Sequence, residues 1–188
     1  MILKGETVMR FLFNTQITEQ DYLDFNIFVA TVSPYGKKQI IELRIFTLIA
    51  FGIASLVAVI GGSFFVLVPY AIACAALQLA IKPGYGWLLK RQMRSAISSG
   101  KPGYSPSAEI EFFEESFVEK TEYNKTEQKY SSVERVSIIE GRIIYIHVNN
   151  VMAYMLPISS FESGEQYKDF LDFIKTKCER VDTYAHIK

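Results

Sequence analysis

IFTLIAFGIASLVAVIGGSFFVLVPYAIACAALQLAI, residues 45–81, decides how the rest of the chain is read. It is a run of 37 residues between Arg44 and Lys82 without one formal charge. The other 151 residues carry all 20 basic and 20 acidic side chains. As a single helix the run is about 55 Å long, nearly twice a hydrocarbon core of about 30 Å. It must therefore fold back on itself, and Gly61-Gly62-Ser63 at its middle supplies the turn. Two spanning arms result, 45–60 and 64–81. The first arm holds ten Leu, Ile, Val or Phe residues. At about −0.3 to −0.6 kcal/mol each, these contribute roughly −3 to −6 kcal/mol to insertion. Pro69 sits one turn into the second arm, where neighbouring helix tolerates a kink. The competing reading, a hairpin buried in a soluble core, lacks enough remaining chain to cover it.

The flanks set an expected orientation. Lys37, Lys38 and Arg44 precede the first arm, and Lys82, Lys90, Arg91, Arg94 and Lys101 follow the second; Glu42 alone dilutes them. Basic residues stay cytoplasmic, so both termini are expected inside and the uncharged turn outside. Charges throughout residues 1–44 leave no apolar core for a cleavable signal peptide. Small residues recur at four-residue spacing: Ala54, Ala58 and Gly62, then Ala71 with Ala75 and Ala76 with Ala80. Such stripes let helices approach closely, either within the hairpin or between copies of it. No ionisable residue lies in the span, which weighs against a proton relay or a charged substrate path.

Outside the arms the chain divides into short elements. Residues 7–14 read as a strand; Thr18 and Asp21 open a helix with Tyr22, Phe25, Phe28, Val29 and Val32 on one face, ended by Ser33-Pro34 and Gly36. Together these make an N-terminal segment, 1–36, ahead of the hairpin at 37–82. Pro83-Gly84 is expected to break the second helix. A basic interfacial helix then covers 83–101, with Tyr85 and Trp87 at headgroup depth beside Lys90, Arg91 and Arg94. Residues 102–107 read as a linker. Alternating runs follow at 109–113, 116–122, 126–132, 135–140, 142–148 and 151–158, turned at Glu114-Glu115, Glu140-Gly141 and Asn149-Asn150. Ser163 to Gln166 is a capping box opening a helix whose Tyr167, Phe170, Leu171, Ile174 and Cys178 share a face. The expected fold is an α+β membrane protein. A two-helix transmembrane hairpin carries a small antiparallel β domain, 108–180, closed by a C-terminal helix, with 181–188 as a tail and 7–14 available to the sheet edge.

In order and over nearly its whole length, the chain resembles the YcxB-like membrane proteins. The resemblance rests on ITEQDYLDFNIF (17–28), the two-span hairpin, IEFFEESFVEKTE (110–122), KYSSVERV (129–136), IIYIHVNNVMAYMLPISSF (143–161) and YKDFLDFIK (167–175). An I-P-x-x-x-F signature stands here as Leu156, Pro157 and Phe161, with Leu for the usual Ile, and Ser132 stands where relatives often place Trp. The resemblance implies a bacterial cell-membrane protein with a cytoplasmic domain similar to bacterial pleckstrin-homology-like (PH-like) folds. It implies no catalytic residues.

His147 and His186 have no second-ligand spacing, and His147 reads as a strand-surface residue. Phosphate-loop, dinucleotide, nucleophile-elbow and zinc-protease motifs are absent from the sequence. Cys74 and Cys178 lie 104 residues apart and suit a reducing compartment; Cys178 falls on an apolar helix face and reads as structural. No metal or cofactor is expected. The net charge of zero is a cancellation: residues 37–101 carry +7, residues 1–36 carry −2 and residues 102–188 carry −5. An acidic domain is poorly suited to nucleic acid or to an anionic lipid surface. The expected partners are therefore membrane lipids around the hairpin and another protein, or a second copy, at the domain. The leading expectation is a double-spanning protein displaying a domain for protein interaction or sensing; the alternatives are an oligomeric transport or channel subunit and, last, an enzyme.

Overall fold

The computed structural model describes residues 9–99 and 103–185; residues 1–8, 100–102 and 186–188 lie outside them, and with them residues 7 and 8 of the expected first strand, Lys101 and His186. The chain forms two compact units, Leu23–Lys101 and the remainder.

In the first unit, helix α1 (Glu19–Thr31), which starts in the other unit, gives way to α2 (Pro34–Ile60) and α3 (Leu67–Ser98). Ser33-Pro34 and Gly36 begin a helix as well as ending one. Ser33 Oγ donates to Val29 O at 2.7 Å and accepts from Gly36 N–H at 3.1 Å, so one hydroxyl serves both helices. Pro34 takes the first helical position, where its missing N–H costs nothing. A Cβ on Gly36 would overlap the Val29 and Ala30 carbonyls, so the two helices meet closely only with glycine there.

α2 and α3 are long and apolar enough to cross a bilayer. Gly61 caps α2, Gly62 turns at φ 74°, a left-handed conformation suited to glycine, and a single 3-10 turn (Phe64–Val66) leads into α3. The return is therefore at Gly61-Gly62-Ser63, as expected. The two helices share a seam of half-buried or buried residues, Thr47, Phe51, Ser55 and Ala58 against Leu67, Tyr70, Cys74, Gln78 and Ile81. Phe51 meets Tyr70 edge to face at 6.4 Å, and Gln78 Nε2 donates to Arg44 O at 3.2 Å.

Two proline expectations are corrected. Pro69 lies in the first turn of α3, where backbone N–H groups have no intrahelical acceptor, so it requires no kink. Pro83 lies inside α3, which runs unbroken to Ser98; there is no separate helix over 83–101. An interior proline costs about 3 kcal/mol.

The second unit is built from two four-stranded sheets. β1 (Met9–Gln16), β2 (Ser107–Phe113), β3 (Ser116–Lys120) and β4 (Lys125–Lys129) form an antiparallel meander, with Phe13 opposite Ile110. The early strand thus joins the sheet edge, and 107 belongs to β2 rather than to a linker. The second sheet has the order β7-β6-β5-β8, from β5 (Arg135–Ile139), β6 (Ile143–His147), β7 (Ala153–Pro157) and β8 (Val181–Tyr184). β8 was expected to be tail; it pairs parallel to β5, Val181 opposite Val136. The run at 126–132 ends as strand at Lys129 and continues as a 3-10 turn, Tyr130–Ser132.

α4 (Gly164–Lys177) opens at Ser163, whose side chain accepts from Gln166 N–H. Gln166 in turn accepts from Glu162 N–H, one residue earlier than in a standard capping box. Phe170, Ile174 and Cys178 from this helical segment share one core with Phe13, Ile110, Phe112 and Phe117 of the first sheet and Val136, Ile138, Ile144, Ile146 and Leu156 of the second. Phe170 is the hub, with ring centroids 4.9 Å from Phe112, 5.1 Å from Phe13 and 5.4 Å from Phe11. Removing a buried aromatic of this kind leaves a cavity as well as a transfer loss. Phe170→Ala is expected to destabilise the β unit by about 3–5 kcal/mol, read as a lower urea midpoint by circular dichroism, whereas the same change at exposed Phe65 leaves that midpoint in place.

Candidate functional site

The residues singled out for helix packing are divided by the structure. Ala58 lies on the α2–α3 seam; Ala54, Gly62, Ala71, Ala75, Ala76 and Ala80 are exposed away from it. Bulkier and polar residues make the seam instead, so the four-residue spacing of alanines is not what joins the hairpin.

The interface residues Lys37, Lys38 and Arg44 are exposed on α2, with Lys38 in an i,i+4 pair with Glu42 at 3.8 Å. On α3, Lys82 and Tyr85 come first, then Trp87, Lys90, Arg91 and Arg94 at the i, i+3, i+4, i+7 spacing of one helix face. Those four line a hollow of about 220 Å³, and Arg91 stands over the Trp87 ring at 5.6 Å. From Leu43 to Ala108 there is no acidic residue, so this face carries an uncompensated positive charge. Its continuity with the apolar part of α3 puts Trp87 about 9 Å along the axis from Ile81, with the cations one and two turns further.

Leu156 and Pro157 are buried at the end of β7. A 3-10 turn then delivers Phe161 to Phe13 at 4.6 Å and Tyr167 at 5.2 Å. This motif therefore closes the core, and it exposes no chemistry. Ser132 donates to Lys129 O at 2.7 Å within its turn and makes no aromatic contact.

Two polar groupings escaped the sequence reading. One is on the second sheet. Its core face carries Val136, Ile138, Ile144 and Ile146, and the opposite face carries Arg135, Ser137, Tyr145 and His147, all buried as well. His147 is fully buried rather than a surface residue. Burial, with Arg135 opposite it in the register, pushes its pKa down to about 3, so the imidazole is neutral at physiological pH. The other grouping surrounds Glu119 on β3, beside Tyr154 on β7. Its carboxyl is pushed up by burial. The signal for it was phase: Glu119 falls two residues after Phe117, on the inward side of β3.

Cys178 is buried and its thiol is pushed up to about 11 by that burial, which keeps it protonated and unreactive. Elsewhere charged side chains serve the fold: Glu114 is held low by Lys177 and Arg10, and Asp21 caps Thr18 and lies 3.7 Å from Arg142. Among the described residues no group of three His, Cys, Asp or Glu is placed to hold a metal ion.

Residues 112–174, from β2 into α4, match the family model described as YcxB-like protein. No curated protein and no solved structure matches the chain.

The buried histidine predicts an acid-sensitive fold. A base with a lowered native pKa stabilises fully above its unfolded value near 6.5 and loses that contribution as pH falls toward about 3. Unfolding free energies from urea titrations between pH 7 and 4 are expected to fall by about 1.4 kcal/mol per pH unit below 6.5 on this account. His147→Gln is expected to flatten that part of the profile.

Proposed function

From a YcxB-like segment folded as a β unit, we propose that this chain is a double-spanning protein of the bacterial cell membrane. In this reading it presents a cytoplasmic PH-like module that binds another protein, and it performs no catalysis. One observation carries the proposal: two antiparallel helices of 27 and 32 residues, with apolar side chains exposed along both, accompany a unit that has its own closed core. A four-strand meander followed by a three-strand meander and a closing helix supports the PH-like description. The Trp87, Lys90, Arg91 and Arg94 face supports an inner-leaflet contact, where ring and cations suit headgroup depth. Both termini are then cytoplasmic and the Gly62 turn lies outside.

A second reading, an oligomeric transport or channel subunit, is favoured by the small residues left outside the hairpin seam, since one hairpin cannot enclose a pore. Cross-linking in native membranes separates the two: a heterologous partner on the β unit supports the first, and a ladder of copies joined through the helices supports the second. Orientation is tested by cysteine labelling. With Cys74 and Cys178 replaced, Gly62→Cys is expected to react with an impermeant maleimide on intact cells and Glu165→Cys only after lysis. The opposite pattern overturns the topology.

A further inference from the structure

The inner face of the first sheet changes character along its length. Strand alternation places Phe117 and Glu119 on one side of β3, and the register carries that side to Phe112 and Ile110 on β2 and to Gln128 and Thr126 on β4. Phe112, Phe117 and Ile110 lie in the core, but toward the β3–β4 turn the same face reads Glu119, Thr126 and Gln128. Packed sheets keep their facing sides apolar. Here polar residues replace apolar ones at the place where a hollow of about 320 Å³ opens, bounded across the gap by Tyr154 of the second sheet and by Met152, just before β7.

Glu119 is the only charged residue lining that hollow. Its neighbour Lys120 points to the other face, where it bonds Glu109 at 2.9 Å and Glu111 at 2.6 Å. Among the described residues no cation pairs with Glu119. Inward charges commonly guard exposed sheet edges, but β3 lies between β2 and β4 and has no free edge. Burial disfavours the ionised carboxylate, and a cation at hydrogen-bond distance reverses that cost. Around it, Tyr154 stands edge-on to Phe117 at 4.9 Å and shares a hydrogen bond with Gln128. Met152 and Tyr123 are 60% and 87% exposed. Long basic side chains suit such a setting, with an aliphatic stem along apolar surface and a charged head beyond it.

We propose that this hollow takes a lysine or arginine side chain of the protein partner, the cation on the Glu119 carboxylate and the stem against Tyr154 and Met152. The inference rests on the protein-interaction reading above and names the chemistry of the partner.

The test uses the full chain in nanodiscs with ¹³C-methyl methionine labelling. The probes are capped five-residue glycine peptides with a central arginine, lysine or norleucine, together with spermidine. The arginine and lysine peptides are expected to shift the Met152 methyl signal saturably, and the norleucine peptide is expected not to. Glu119→Gln, nearly isosteric, is expected to weaken binding at least tenfold. Met152→Ala, at an exposed position and read by isothermal titration calorimetry because it removes the reporting methyl, weakens binding two- to five-fold with the melting curve unchanged, and exposed Glu122→Gln leaves it alone. Equal binding by Glu119→Gln or by the norleucine peptide overturns the site. Spermidine binding more tightly than the peptides overturns the partner side chain in favour of a free polyamine. Cross-linking in membranes distinguishes the two levels. A partner retained in full by Glu119→Gln refutes this site and leaves the interaction reading standing; peptide binding with no partner recovered refutes the interaction reading instead.

Discussion

A peptide group in hydrocarbon has no water to bond, so an uncharged run must satisfy its own backbone. The uncharged run meets that requirement: residues 34–60 and 67–98 are helical, and the residues between them are confined to a glycine turn and one 3-10 turn. The β unit obeys a different economy. Water is available at its surface, and its stability comes from a core to which Phe13 of the first strand and Phe170 of the last helix both contribute, although most of the chain lies between them. The two units are thus held by different physics.

Legibility followed the strength of each pattern. The hairpin was readable because 37 uncharged residues admit few structures and Gly61-Gly62-Ser63 stands at their middle. The central strands and α4 were readable from alternation and from a capping sequence. What failed were places where one residue type serves two roles. Ser33-Pro34 looks like a stop signal, yet serine before proline also starts helices. Pro83-Gly84 has the form of a breaker, yet the helix runs through it to Ser98. β8 is four residues long, with two polar positions, and its pairing to β5 is a long-range fact with no local trace.

The site residues were less legible for a related reason. His147 shares a strand phase with Tyr145, opposite to the core residues Ile144 and Ile146, which reads as an outward face. Both faces of that strand are in fact buried. Glu119 lies in SFVEKTE, where charges fall on both phases and mask which are inward. The stripes of alanine were legible as a pattern, but spacing identifies a helix face without saying what it meets; Ala58 lies on the hairpin seam and the others are exposed. The family match over residues 112–174 covers a third of the chain and leaves the helices to be argued from their own chemistry.

The unbroken α3 has a mechanical consequence. A helix interrupted at Pro83 would act as two rods joined by a pivot, and changes in the tilt of one would be lost before reaching the other. A continuous helix is a lever. The stretch from Lys82 to Ser98 is about 24 Å long at 1.5 Å per residue, so a tilt of about 10° at its start moves its far end sideways by about 4 Å.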